Sequence, residues 1–286
     1  MKIIKYFFQF IVISFLFVIY KISGLKISSF ISGKLFEIFG PLFRSKKIIN
    51  SNIQKAFPKI NSLGINNITK SMWNNYGRTL SEYMFLKDFR NNKFESNINV
   101  EGNEILEKIR LEKTPVIFIS GHFGNFELMA MEIEKSGVNL SAIYRPLNNI
   151  FLNLIMERIR RKYICRNQIK KGTSGVRELL RLYKKGYSIA LMIDQRVSQG
   201  IKSKFFDEEA FTATIPAQFI KKFNCKVVPI SIKRYNGVNF NIKIENPMEF
   251  SKSYSTEKIT RELNIWLEKV ILKNPGQWIW SHGRWK

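Results

Sequence analysis

The chain has 286 residues, 45% of them hydrophobic, and carries 47 Lys and Arg against 22 Asp and Glu, a formal net charge of +25. That length supports one sizeable core with an appendage, and the charge calls for a polyanionic neighbour: nucleic acid, anionic lipid, or a phosphorylated or acidic partner. Two cysteines without CxxC spacing and only two histidines argue against a disulfide framework and exclude a His-rich metal site.

The first element is apolar on every side. From Tyr6 to Tyr20 the chain reads YFFQFIVISFLFVIY, flanked by Lys2, Lys5 and Lys21, which predicts a transmembrane or membrane-anchor helix over residues 1–22 with lysines at both interfaces. No small-residue cleavage site follows, so a signal peptide is the weaker reading. Residues 25–43 alternate apolar and polar positions at helical spacing, which predicts an amphipathic helix that lies in the membrane interface or packs on the soluble part. Helical patterning continues over 45–57, stops at Pro58, and resumes over 69–86 with Trp73, Tyr76, Leu80, Tyr83 and Met84 recurring on one face. Residues 23–95 therefore form a helical, membrane-proximal segment.

Beyond residue 95 the texture changes. Short β-rich runs at 98–100, 115–120, 139–144, 188–193, 226–233 and 238–245 are mostly separated by helical patterns at 104–111, 126–136, 150–163, 174–185 and 215–223. This alternation predicts an α/β domain over residues 96–286, with a mostly parallel central sheet flanked by helices. Asn236-Gly237 marks an edge hairpin, and a last helix over 256–272 leads into an aromatic tail.

The chemistry gathers where the second apolar strand ends. Val116 to Leu128 reads VIFISGHFGNFEL, a buried strand running into a Gly-rich turn that opens a helix, and the carboxyl end of such a strand is where open α/β sheets bind ligands. His122 and Glu127 are five positions apart. On one regular helix they would point about 140° apart, so they share a pocket only if His122 precedes the helix, a bend that Gly121 and Gly124 permit. A neutral imidazole can take a proton from a hydroxyl while a carboxylate on its other nitrogen fixes the tautomer. The competing reading makes His122 a helix cap and Glu127 a surface residue at a helix N-terminus.

These residues resemble a known family. Gly121-His122-Phe123-Gly124-Asn125-Phe126-Glu127 is similar to the His-x4-acid motif of the lysophospholipid and glycerolphosphate acyltransferase superfamily, in the His-x4-Glu form of the lipid A biosynthesis acyltransferases. Ala142 to Pro146, Leu191 to Gln195 and Val228 to Ile230 resemble its later blocks, Phe205-Phe206, Thr212, Thr214 and Pro216 resemble the stretch between them, and residues 275–286 (PGQWIWSHGRWK) resemble its C-terminal signature. Phe206-Asp207 departs from the family's Phe-Gly, which bears on the shape of that loop.

The resemblance implies a glycerolphosphate-acyltransferase-like fold and transfer of an acyl chain from an acyl carrier protein thioester to the hydroxyl of a 3-hydroxyacyl chain on a lipid A precursor. It implies no metal and no cofactor besides that donor. His122 would be the general base and Glu127 would orient and charge it, with backbone amides near the helix start as oxyanion donors. Arg145 would bind a phosphate or an acidic patch. Asp194, Gln195 and Arg196 would line the substrate site, Asp194 holding Arg145 or the wall of the pocket. His282 is expected to pack in the aromatic tail. The partners would be acyl carrier protein, the lipid A precursor and an anionic membrane surface, with no nucleic acid, and the location a bacterial inner membrane with the catalytic domain facing the cytoplasm. The alternatives are a phospholipid or other glycolipid acyltransferase of the same superfamily, and a non-enzymatic basic protein at the membrane surface. A serine hydrolase is disfavoured, since Ser120-Gly121-His122 is no nucleophile elbow.

Overall fold

A computed structural model describes residues 2–285; Met1 and Lys286, the outer ends of the predicted anchor and tail signature, lie outside it. The N-terminal half is helical. Helix α1 (Lys2–Phe39) is broken at Gly24, whose φ of 77° no helix contains, so two segments of different character are joined end to end. Helix α2 (Lys46–Ala56) is capped by Ser45, and α3 (Ser62–Glu82) by Asn61. A single 3₁₀ turn (Tyr83–Phe85) leads into the short α4 (Leu86–Arg90).

The expected stripe on α3 is only partly the buried one. Trp73 is buried, but Tyr76 is 43% exposed, and the buried face also carries Asn75, Gly77, Thr79, Ser81 and Glu82. The reason is that α3 is packed on two sides, against α1 and against the turn around Gly124. Where α1 crosses α3, Ser32 Oγ donates to the Gly77 carbonyl at 2.6 Å. Any side chain at Gly77 would collide with the Ser32 backbone and the Phe36 ring.

The α/β part follows the expected alternation: β1 (Ile98–Glu101), α5 (Asn103–Glu112), β2 (Ile117–Ser120), α6 (Glu127–Lys135), β3 (Leu140–Tyr144), α7 (Ile150–Ile159), β4 (Asn167–Lys170), α8 (Thr173–Lys184), β5 (Ser188–Met192), β6 (Ile201–Phe205), β7 (Glu208–Thr212), α9 (Ile215–Phe223), β8 (Val227–Tyr235), β9 (Asn239–Ile244) and α10 (Thr256–Lys273). Seven strands form one sheet in the order β1-β9-β8-β2-β5-β3-β4. Every pairing is parallel except β8 with β9, the hairpin closed by Asn236-Gly237. Strand β2, at the centre, is buried at all four positions, as a strand covered on both faces must be.

Three strands escape the sequence reading. Strand β4 is a short edge strand, NQIK, with one apolar residue. Strands β6 and β7 form a separate two-stranded ribbon outside the main sheet. Helix α7 also stops earlier than its periodicity suggests: after Ile159 the chain makes one π-helical turn over Arg160–Ile164, an extra residue per turn that re-aims the side chains there.

The β6–β7 turn explains the departure at Asp207. Phe206 and Asp207 have φ of 52° and 59°, the pair of left-handed residues that a two-residue hairpin turn requires. Glycine adopts that conformation freely, whereas Asp tolerates it at some cost. Asp207→Gly is therefore expected to stabilise the chain by up to about 1 kcal/mol, a rise of roughly 2 °C in a melting curve; an unchanged or lower midpoint would refute the strain.

Candidate functional site

The site forms where β2 and β5 end side by side. In their parallel register Ser120 lies opposite Met192, so two residues further on His122 comes opposite Asp194. Asp194 is fully buried, and its carboxylate accepts from three donors. These are the His122 backbone amide (2.9 Å), His122 Nδ1 (2.8 Å to Oδ1) and Trp278 Nε1 (2.9 Å). With Nδ1–H so committed, Nε2 carries the lone pair. The His122 side chain keeps 17% exposure, and Phe126 packs edge-on against its ring with centroids 4.8 Å apart.

This corrects the expectation for Glu127. The carboxylate on the second imidazole nitrogen belongs to Asp194, because Glu127 starts α6 and is claimed by other donors. Arg160 reaches Glu127 Oε1 through Nε (2.9 Å) and Nη2 (2.7 Å), and the Tyr83 hydroxyl donates to the same oxygen. Arg160 Nη2 also donates to the Tyr83 oxygen at 2.9 Å, closing a buried triangle. Arg160 stands at the start of the π-turn, so the irregularity after α7 places the partner of the motif's glutamate. Sequence spacing places Tyr83 only on a helix face and does not single out Arg160, since their pairing with Glu127 bridges separate elements.

Electrostatics follow from these contacts. Burial lowers the His122 pKa, but the Asp194 charge and hydrogen bond, and then the Glu127 charge, outweigh it and hold the imidazole above its ordinary value. Burial raises Asp194, yet His122's charge and hydrogen bonds hold it well below the usual carboxylate range. Tyr83 is pushed far up by burial and by the Glu127 charge, so its phenol stays a neutral donor.

Around this centre the remaining predicted residues fall into two groups. Gln195 is inside: its Nε2 lies 3.5 Å from His122 Nε2 and 3.5 Å from His282 Nε2. Arg145 and Arg196 are on the outside, both exposed; Arg196 donates to Ser198 Oγ at 3.1 Å and lies over the Phe211 ring. Asp194 holds His122, not Arg145: β5 pairs with both β2 and β3, but the buried Asp194 oxygens are taken by His122 and Trp278 while Arg145 is exposed.

His282, expected to pack in the tail, instead faces His122 with ring centroids 6.1 Å apart. Burial pushes it down to about 4; the Asp194 carboxylate pulls the other way, and charge on His122, Arg44 and Arg145 adds to the fall. The tail is stitched to the turn by the Gly124 amide donating to the Gln277 carbonyl (3.3 Å) and by the Trp278 bond to Asp194. Near the helix start, the amides of Phe123, Gly124 and Leu128 donate to backbone carbonyls, and the Gln195 side-chain amide stands beside the imidazole. No group of three or more His, Cys, Asp and Glu side chains stands close enough to hold a metal among the described residues.

Residues 1–286 match the profile of the family described as bacterial lipid A biosynthesis acyltransferase. Among curated proteins the chain is similar to lipid A biosynthesis acyltransferase 2 of Shigella flexneri, 25% identical over 193 residues covering 66% of this chain and 60% of that protein. It is also similar to the lipid A biosynthesis myristoyltransferase of Escherichia coli (strain K12), 25% identical over 194 residues, covering 66% of this chain and 58% of the relative. The match thus spans about three fifths of these relatives' length. The lipid A biosynthesis palmitoleoyltransferase of the same strain is 22% identical, with 86% of this chain and 80% of the relative covered. A solved 1-acyl-sn-glycerophosphate acyltransferase from Thermotoga maritima aligns with a TM-score of 0.42 and 15% identity, over 89% of this chain and 96% of that one.

With only two histidines, the site can be read directly by NMR titration of the imidazoles. His122 is expected to titrate above the ordinary value of about 6.5 and His282 at about 4. Asp194→Asn should lower the His122 value more than Glu127→Gln does, because Asp194 both bonds and faces the ring while Glu127 acts only through its charge. The reverse order would restore Glu127 as the principal partner.

Proposed function

Because the chain belongs to the bacterial lipid A biosynthesis acyltransferase family, we propose that it moves a fatty acyl chain from an acyl carrier protein thioester to the hydroxyl of a 3-hydroxyacyl chain on a lipid A precursor. The observation that carries this reading is the His122 imidazole, its Nδ1 locked onto Asp194 and its Nε2 left as the proton acceptor at the mouth of the central strand. That is the arrangement direct acyl transfer to an alcohol calls for.

In the proposed reaction the acceptor hydroxyl gives its proton to His122 Nε2 as its oxygen attacks the thioester carbonyl. Asp194 holds the tautomer and stabilises the imidazolium that forms. The tetrahedral oxyanion calls for N–H donors, and the Gln195 side-chain amide beside the imidazole and the backbone amides at the start of α6 are the groups that would supply them. Collapse re-forms the carbonyl and expels the thiolate, which takes the proton from His122. The thioester is already an activated acyl group, so the scheme calls for no metal and no resident cofactor. The pair of Glu127 and Arg160 sets the pocket wall beside Phe126; the Glu127 charge favours the imidazolium and Arg160 offsets part of that effect. Arg145 and Arg196, exposed at the ends of β3 and β5, are the cations placed to meet a phosphate of the glycolipid. The basic surface and the apolar α1 keep the site at an inner-membrane surface, facing the cytoplasm where acyl carrier protein is found.

Purified protein supplied with acyl carrier protein thioester is expected to acylate a lipid A precursor in preference to a lysophospholipid; preference for the lysophospholipid would move the assignment to a sister activity. His122→Ala should lower turnover roughly 100- to 10,000-fold with the circular dichroism spectrum unchanged, and near wild-type turnover would remove the base. Deleting residues 2–23 should shift much of the protein from the membrane to the soluble fraction.

A further inference from the structure

Helix α1 is long and apolar enough to cross a membrane, but it does not stand apart from the rest of the fold. One face of its first segment lies against the domain along its length. Tyr6, Gln9, Phe10, Ile13, Leu16, Phe17 and Tyr20 are partly or fully buried, while Ile3, Ile4, Phe7, Phe8, Ile11, Val12, Phe15, Val18, Ile19 and Ile22 are exposed. Tyr6 and Tyr20 are separated by about 21 Å of helix.

The attachments at the two ends are polar. Near the start, Asn149 Nδ2 donates to the Tyr6 carbonyl at 2.8 Å, and Phe151 of α7 packs edge-on against Phe7 at 5.5 Å. Near the break, Lys21 donates to the Met84 carbonyl at 3.1 Å and pairs with Asp88. A helix crossing the roughly 30 Å hydrocarbon core would carry these partners into it. Asp88, Glu157 and Arg158 sit on those same partner elements, and charges there are expelled from hydrocarbon.

The outward face tells the same story. Beside Phe7, α7 exposes Ile150 (53%) and Leu154 (70%). Just past them lies an open basic groove lined by Leu154, Glu157, Arg158, Arg161, Lys162 and Lys170, so apolar side chains meet cations at one rim. Beyond Gly24 the second segment turns Ser28, Ser29, Ser32 and Gly33 inward and leaves Ile27, Phe30, Ile31, Ile38 and Phe39 exposed. Polar small residues face the protein and large apolar ones face out, the reverse of a helix on a water-soluble surface.

We propose that α1 does not span the bilayer but lies in one leaflet of an anionic membrane, with the exposed face of α7 embedded beside it and the basic groove at the headgroups. Both ends of α1 and the α/β domain then stand on the same side.

Thiol topology tests this in the full-length chain. One variant carries a hydrophilic cysteine-bearing tag ahead of Met1; another has Lys202→Cys on β6, an exposed position. The native Cys165 and Cys225 are buried. Each is expressed in bacteria and treated with a membrane-impermeant maleimide in spheroplasts and in inverted vesicles. Both thiols are expected to react in the same preparation and to be protected in the other; reaction in opposite preparations overturns the proposal. For α7, the pair Ile150→Glu and Leu154→Glu should raise the fraction released by alkaline carbonate at least fivefold, and unchanged release would show that α7 lies outside the lipid. Neither readout depends on acyl transfer.

Discussion

The Asp194 carboxylate is the point on which the site turns. A buried carboxylate is costly unless its oxygens are fully engaged, and this one takes the His122 amide, the His122 ring and the Trp278 indole. Those donors come from the end of β2 and from the tail after α10, while the acceptor sits just past β5. One anion thus fixes the backbone entry to the motif turn, the orientation of the imidazole and the position of the C-terminal tail. The same bonds that hold Asp194 ionised hold His122 above its ordinary value, so structure and proton affinity are two consequences of one contact.

A second buried carboxylate steadies the turn from the opposite side. Glu82, at the end of α3, pairs with Arg234 of β8, accepts from Asn125 Nδ2 at 2.9 Å and from Ser29 Oγ at 2.9 Å. Arg234 spends its other nitrogens on Asn75 and Thr79, and both of those side chains also donate to the Gly124 carbonyl. Helix α1, the motif turn and the edge hairpin therefore share one hydrogen-bonded network. Removing a single member would leave a buried charge uncompensated, which is why such networks define one arrangement more than they add stability.

Much of this was legible in residues alone, and the limits have physical causes. Alternation of β-rich runs and helical periods gave the sheet because covered strands are apolar throughout, as β2 is. Strand β4 carried too little hydrophobicity to register, and β6 and β7 belong to a ribbon outside the sheet. The strand end at His122 was visible; its partner was not, because Asp194 is 72 residues away and joins it only through the parallel register of β2 and β5. Local spacing favoured Glu127, a residue that the π-turn after α7 binds to Arg160 instead. The tail histidine was hidden by its aromatic neighbours, although a chain with two histidines offers few other candidates.

Hydropathy is the other place where sequence and structure speak differently. A run of apolar residues reports transfer out of water, without saying how much of the helix meets lipid and how much meets protein. In α1 the division is visible only from its partners: Phe17 and Tyr20 are as buried as core residues while Phe15 and Val18, one turn's neighbours, are more than half exposed. The serines of the second segment make the same point in reverse. They lower the hydropathy of α1 yet face inward, where Ser29 and Ser32 bind Glu82 and the Gly77 carbonyl. Because Glu82 also holds Asn125 of the motif turn, one carboxylate ties α1 to the turn that carries His122, and a shift of the helix would be felt at the imidazole.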